Sequence, residues 1–128
     1  MAKTLQPYYY GIYDNLGIVY FQTGHYEDAE RSYLESLKLN PHMPEPHNNI
    51  ASVFIETGRY DEAIPHLKKS LSFKKDFYLA AFNLGMAYYL KGEHQRAEEY
   101  FRKTLEINPS FQPARDHLQK LSCTSPLN

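Results

Sequence analysis

The strongest constraint on the fold is a repeat of 34 residues that runs through most of this 128-residue chain. One glycine, one alanine, one leucine and one asparagine each occur three times at this spacing. Four such matches at one period are not expected by chance, and a fixed period of this size is typical of stacked repeat architectures. The recurring residues are Gly24, Gly58 and Gly92; Ala29, Ala63 and Ala97; Leu37, Leu71 and Leu105; and Asn15, Asn49 and Asn83.

Each unit of the repeat reads as two amphipathic helices around a short break. In the first half of unit one, Ile12, Leu16, Val19 and Tyr20 have the 3–4 spacing of a single buried helical face. The glycine in the break can take the left-handed conformation that ends a helix. Small residues beside large ones in the second half predict a close approach of two helices. These small residues are Ala29, Ser36, Ala63, Ser70, Ala97 and Thr104.

The pattern resembles the tetratricopeptide repeat from residue 10 to about residue 121. Unit three repeats most of the pattern of unit one, and unit two is looser, with Lys75 in place of the closing proline. The resemblance implies an all-α, right-handed α-solenoid in which first helices line the concave side and second helices the convex side. In unit one the pattern is Leu16-Gly17, Tyr20, Gly24, Tyr26, Ala29, Tyr33 and Pro41.

The repeat register divides the chain into six segments. Residues 1–9 form an N-terminal extension, of which residues 1–7 are too short for a capping helix, and residues 10–43, 44–77 and 78–111 are the three units. Residues 112–121 are predicted to form a capping helix that buries Ala114, Leu118 and Leu121 under a polar outer face, and residues 122–128 a disordered tail. No such cap is predicted at the N-terminal end. Either Tyr8, Tyr9 and Tyr10 cover this end, or the chain is a piece of a longer protein or self-associates there.

Composition argues against several classes of partner. The net charge is −1, from 14 basic and 15 acidic residues, whereas proteins that grip nucleic acid through its phosphates usually carry a basic excess. The lysines at 68, 69, 74 and 75 are interpreted as a solvated helix end and loop. No apolar stretch approaches the ~18 residues of a membrane span. A single cysteine, Cys123, and the lack of a secretory signal favour the cytoplasm.

No group of residues has the spacing of a metal site or of an activated nucleophile. His42 and His47 flank Glu45 in a proline-rich turn, but packing explains His47 better than metal binding does. His66 is predicted to be exposed. We therefore expect neither a metal nor another cofactor, and no enzymatic activity.

The resemblance implies that positions 2, 5, 6, 9, 12 and 13 of each unit face the concave side, counting from Tyr10, Pro44 and Tyr78. Asparagine fills position 6 three times, and its side chain can pair with both the N–H and the C=O of an extended peptide. This is similar to the asparagine ladder of the O-linked N-acetylglucosamine transferase superhelix. Alternatively, each asparagine is a consensus residue tied to its own helix or to water. The candidate groove residues are Asp14, Asn15, Ile18, Glu45, Asn48, Asn49, Ser52, Leu79, Phe82, Asn83 and Met86.

The predicted groove is graded in polarity. Unit three is apolar, whereas units one and two add Asp14, Glu45 and Glu56, so a ligand with apolar anchors at one end and basic residues at the other would fit. Chaperone-binding members of the family use a clamp of two lysines, two asparagines and an arginine. Only Asn49 agrees with that clamp, so we do not expect an acidic chaperone C-terminus to bind. The matching sites are Asp14, Ile18, Asn49, Leu79 and Asn83.

The sequence therefore predicts a scaffold that binds a peptide or an extended segment of a partner protein. Two alternatives remain open at this point. The chain is a self-assembly or tethering domain that forms a homo-oligomer through its uncovered N-terminal end, or it is the substrate-recruiting part of a larger enzyme such as a glycosyltransferase.

Overall fold

A computed structural model describes the backbone of residues 2–123 and the side chains of residues 11–122. The described residues form seven α-helices and no strand, in agreement with the predicted all-α class. Six helices make three pairs, and the seventh stands alone. The helices are α1 (Ala2–Gln22), α2 (Tyr26–Leu39), α3 (Pro44–Glu56), α4 (Tyr60–Phe73), α5 (Tyr78–Lys91), α6 (His94–Ile107) and α7 (Gln112–Cys123).

The turn inside each pair has the same hydrogen-bonded structure in all three units. Gly24, Gly58 and Gly92 have φ values of 81°, 78° and 92°, as predicted from their place in the repeat. In unit one, the amide of Gly24 donates to the carbonyl of Phe21 (3.1 Å), and the amide of His25 donates to that of Tyr20 (2.8 Å). This 5→2 and 6→1 pattern is a Schellman motif, which satisfies carbonyls that the end of a helix leaves unpaired.

Within each pair, a small residue at position 8 meets a large residue at position 24. A Cβ atom added to Gly85 would lie 2.7 Å from the ring of Phe101, which is fully buried. Gly17 stands in the same relation to Tyr33. The small residues predicted from the second helices are all completely buried, which confirms the predicted close approach. They are Ala29, Ser36, Ala63, Ser70, Ala97 and Thr104.

The first helices of neighbouring units contact one another, α1 with α3 and α3 with α5. No comparable contact joins α2 to α4 or α4 to α6 in the described part of the chain. A stack whose first helices lie closer together than its second helices must curve toward the first helices. The inner surface of the curve is therefore formed by α1, α3 and α5, and we call it the concave surface.

The last helix covers the end of the stack. Ala114 is fully buried, and Leu118 and Leu121 pack against the core, as predicted for a capping helix. Helix α7 ends at Cys123, two residues beyond the predicted boundary. The rest of the predicted tail, residues 124–128, lies outside the described residues.

The first helix differs from its prediction in length and in burial. It begins at Ala2, so the predicted extension before Tyr10 continues the helix. The expectation that Ile12, Leu16 and Val19 are buried is wrong: they are 52%, 41% and 55% exposed. The physical reason is that no second helix among the described residues packs against this side of α1. The side chains of Tyr8, Tyr9 and Tyr10 lie outside the described residues.

Two histidines form a pair between α3 and α4. The Nδ1 atoms of His47 and His66 are 3.0 Å apart, and Nε2 of His47 lies 2.8 Å from the carbonyl oxygen of Pro41. A carbonyl only accepts, so Nε2 of His47 carries a proton, and neutral His47 accepts from Nδ1–H of His66. The prediction that His66 is exposed is wrong, because this contact holds it half-buried.

Gly85→Ala tests the close packing of the helix pair. Alanine favours a helix by about 1 kcal/mol over glycine, but overpacking a core costs about 1–3 kcal/mol, so we expect a net destabilisation of roughly 1 kcal/mol. Denaturant unfolding measures it. Gly11→Ala is the matched control, because a Cβ there meets nothing within 4 Å. A Gly85→Ala variant as stable as the wild type would contradict the packing described.

The histidine pair predicts that stability falls in mild acid. Burial is the largest cause that lowers the pKa of both His47 and His66 from 6.5, and the positive charge of Lys69 lowers both further. The hydrogen bond to Pro41 opposes the shift in His47, and the charge of Glu62 opposes the shift in His66.

Below pH ~6.5 the unfolded chain therefore takes up protons that the folded chain excludes, and stability is lost as the pH falls. Thermal unfolding between pH 7.5 and 5.5 measures the effect, with buffers matched in ionic strength. His66→Tyr, which copies Tyr100 from the equivalent position of unit three, should flatten the pH dependence. An equal slope in the variant would rule out the pair as the cause.

Candidate functional site

The concave surface places the predicted groove residues along three adjacent helices. Helix α1 carries Asp14, Asn15 and Ile18, of which Asn15 and Ile18 are exposed. The remaining residues lie on α3 and α5, and most of them are partly buried there. These residues are Glu45, Asn48, Asn49 and Ser52 on α3, and Leu79, Phe82, Asn83 and Met86 on α5.

Two of the three repeated asparagines are hydrogen-bonded across the boundary between units. Nδ2 of Asn49 donates to Oδ1 of Asp14 at 3.0 Å, and Nδ2 of Asn83 donates to Oδ1 of Asn48 at 2.9 Å. Both bonds run from position 6 of one unit to position 5 of the unit before it. Nδ2 of Asn83 also donates to Oγ of Ser52 at 3.4 Å, whereas Nδ2 of Asn49 has a second hydrogen. The amide oxygens of Asn49 and Asn83 each have two lone pairs, so both side chains keep bonding capacity.

Asn15 is the exposed member of the series. Its equivalents are partly buried because each lies against the first helix of the preceding unit. Helix α1 has no such neighbour among the helices that the structure describes. The row of asparagines at position 6 therefore has one exposed amide in unit one and two amides, in units two and three, that are oriented by hydrogen bonds between units.

The concave surface carries the acidic residues Asp14 and Glu45 where units one and two meet. Burial raises the pKa of Asp14 first of all, the hydrogen bond from Asn49 opposes this, and the negative charge of Glu45 raises the pKa further. Oε1 of Glu45 is buried and has no hydrogen-bond partner. Among residues 11–122, no ion pair involves Asp14, Glu45 or Glu56. No cationic side chain among the described residues therefore pairs with the acidic groups at this end of the concave surface.

Most of the apolar residues of unit three are used for packing. The ring of Phe82 lies 5.6 Å from that of Phe101, 5.1 Å from that of Phe111 and 5.9 Å from that of His117, measured between centroids. Met86 also packs against the core. Leu79, by contrast, is 40% exposed, and Leu90, at position 13 of the same unit, is 44% exposed.

Sequence reasoning did not find the cross-unit bonds. It assigned Asn48 to the groove, whereas Asn48 is buried and its side-chain oxygen accepts from Asn83. The sequence analysis left open the alternative that each asparagine side chain is hydrogen-bonded within its own helix or to water. The available signal was the separation of 35 residues between each donor and its acceptor, one more than the repeat period. A polar residue at position 5 followed by asparagine at position 6 of the next unit marks the pair.

Two further searches cover only the part of the chain that the structure describes. There, no three histidine, cysteine, aspartate or glutamate side chains come together as a possible metal site. No helix there combines the length and the apolar character of a membrane span.

Comparison with known proteins identifies the repeat. Two family models described as tetratricopeptide repeat match residues 43–110 and 10–43. The first match alone covers more than half of the chain. No curated protein sequence matches.

The chain is similar in fold to several solved structures, of which three follow. The first tetratricopeptide domain of Spaghetti (RPAP3), bound to the HSP90 peptide SRMEEVD, has a TM-score of 0.85 at 21% identity, covering 88% of this chain and 90% of that one. The Arabidopsis OM64 domain has a TM-score of 0.87 at 21% identity, with coverages of 91% and 96%. MamA has a TM-score of 0.83 at 25% identity, with coverages of 94% and 71%.

Proposed function

Because the chain belongs to the tetratricopeptide repeat family, we propose that it is a protein-interaction scaffold that holds an extended peptide along its concave surface. The observation that carries the proposal is the continuous polar row on that surface, from Asp14 through Asn49 and Asn48 to Asn83. The hydrogen bonds between units orient the amides before any ligand arrives. A ligand that pairs with them does not have to order them, which favours binding.

Main-chain recognition alone would be weak. A hydrogen bond contributes about 1 kcal/mol net, and three fall short of the roughly 8 kcal/mol of a micromolar complex. Side chains of the ligand must supply the rest. Asp14 and Glu45, which have no cationic partner among residues 11–122, favour a lysine or arginine at one end of the ligand. Exposed Leu79 favours an apolar residue at the other end.

An acidic chaperone C-terminus does not fit this proposal. Spaghetti binds the HSP90 peptide SRMEEVD, and the family clamp for such peptides requires cations. This chain has Asp14, Leu79 and Asn83 among the matching sites. A carboxylate ligand near Asp14 and Glu45 would meet like charges in a partly buried site, where screening by water is reduced.

The proposal also covers the cellular compartment of the protein and the activities and ligands that we do not expect. We place it in the cytoplasm, without catalytic activity of its own and without nucleic acid or a cofactor as ligand. The charge balance and the single cysteine support this placement. Recruiting substrates to a separate enzyme also requires binding an extended segment of a partner protein, so it would use the same groove.

Self-assembly is a second candidate function, favoured by a separate observation. Ile12, Leu16 and Val19 are exposed on α1, whereas their equivalents in the other units are buried. This surface lies beside the groove and not within it, so the two functions are compatible.

Selection from a random peptide library displayed on phage tests the peptide-binding function. We expect enriched sequences with lysine or arginine toward one end and leucine, methionine or phenylalanine toward the other. Substituting Asn15, Asn49 and Asn83 together by alanine should weaken the selected peptides at least about tenfold, on the order of half a kilocalorie per lost bond. Titration calorimetry measures the change, and circular dichroism checks that the variant remains helical.

Controls for the selection come from the chain itself. Alanine in place of Asn40 and Asn108, which cap second helices on the other side of the stack, should leave affinity unchanged. SRMEEVD should not bind the wild type. It should bind a variant with Asp14→Lys, Ile18→Asn, Leu79→Lys and Asn83→Arg, which completes the clamp with Asn49. Enrichment of acidic C-termini by the wild type would overturn the assignment of the groove.

A further inference from the structure

One side of α1 presents an apolar row that every other unit buries. Ile12, Leu16 and Val19 occupy positions 3, 7 and 10, and we call this row the N-terminal face. The residues at the same positions of units two and three are completely or almost completely buried under a preceding second helix. These residues are Pro46, Ile50 and Val53 in unit two, and Ala80, Leu84 and Ala87 in unit three.

Contiguous apolar surface of this kind marks an interaction site, whereas scattered apolar residues do not. The three side chains follow each other along one helix, and they have the register of the interfaces that hold the stack together. The N-terminal face is therefore suited to contact another helix. We propose that this helix is α1 of a second copy of the chain, so that the protein forms a two-fold dimer through its N-terminal faces.

The length of α1 suits it to pair with another helix. Before α3 and α5, residues 40–43 and 74–77 leave the helix and turn back to the preceding second helix. The corresponding residues before Tyr10 belong to α1, which begins eight residues earlier at Ala2. Helix α1 therefore continues past the position at which α3 and α5 begin, and a helix of this length offers a long side to a second copy.

The spacing of apolar residues along α1 also suits a helix pair. In the sequence, Leu5, Tyr9, Ile12, Leu16 and Val19 alternate steps of four and three. Apolar residues at this spacing form the seam of two helices packed side by side. A two-fold axis brings the same surface of both copies together, so each apolar residue meets an equally apolar partner.

Charge favours the contact between identical faces. From Gly11 to Thr23 the only charged residue is Asp14, and its carboxylate is turned to Asn49 on the concave side. Two N-terminal faces can therefore meet without burying like charges, which is what homodimer interfaces require. The net charge of −1 adds little repulsion between copies. Such a dimer would carry two concave surfaces and bind repeated ligands more tightly by avidity.

Sedimentation equilibrium over about 1 to 300 μM tests the proposal, since association depends on concentration. The wild type should approach twice its mass of 15.0 kDa. Leu16→Glu and Val19→Glu should each weaken dimerisation at least about a hundredfold, because the two-fold axis places each new charge in the interface twice. Leu90→Glu is the matched control, at a leucine that is equally exposed but lies on α5. It should dimerise as the wild type does.

Three outcomes would overturn the dimer. In the first, the wild type stays monomeric over the whole concentration range. In the second, its mass keeps rising beyond that of two copies. In the third, Leu16→Glu dimerises as the wild type does while its circular dichroism spectrum is unchanged. The proposal extends the second candidate function and is separable from peptide binding. The triple alanine variant at Asn15, Asn49 and Asn83 should dimerise normally, and Leu16→Glu should still bind selected peptides.

Discussion

The close contact between a small residue on the first helix and a large ring or side chain on the second is the interaction on which the stack depends. Gly85 against Phe101 shows it most clearly, because even a methyl group on Gly85 would lie 2.7 Å from the ring. A helix pair this close presents a smooth apolar surface on each side. Its own residues cannot cover that surface, so a next pair must do so.

The functional surface follows from the same contact. The close approach of the two helices in each pair, together with a fixed turn, places position 6 of a unit beside position 5 of the unit before. The bonds from Asn49 to Asp14 and from Asn83 to Asn48 result. The amides thus have a structural role, because they join the units. In the proposed function they have a binding role as well, and the two are compatible because each amide uses only part of its bonding capacity.

The sequence was sufficient for the helices, the turns and the cap, because each depends on residue types that recur at one spacing. The left-handed glycines and the buried small residues are local or nearest-neighbour features. The exposure of Ile12, Leu16 and Val19 could not be predicted from unit one alone, since the same pattern is buried in units two and three. Their environment is decided by whether a neighbouring helix is present. The pairing of His47 with His66 escaped prediction because the two residues are 19 positions apart, at sites where the repeat has no fixed residue.

The groove was predicted less completely than the fold. The repeat register gives the direction of a side chain, but it does not say which neighbour the side chain contacts. Asn48 and Phe82 lie at concave positions and yet are largely committed to protein contacts. Asp14 and Glu45 have no cationic partner among the described residues, and this could be recognised only when the ion pairs of the described structure were known.

The central claim is that the repeated amides contact the ligand. The most direct measurement is the side-chain amide resonances of the asparagines in 15N NMR spectra during titration with a library-selected peptide. The account predicts that the signals of Asn15, Asn49 and Asn83 shift with the bound fraction, while those of Asn40 and Asn108 stay in place. Shifts at Asn40 and Asn108, with the three concave amides unchanged, would contradict it.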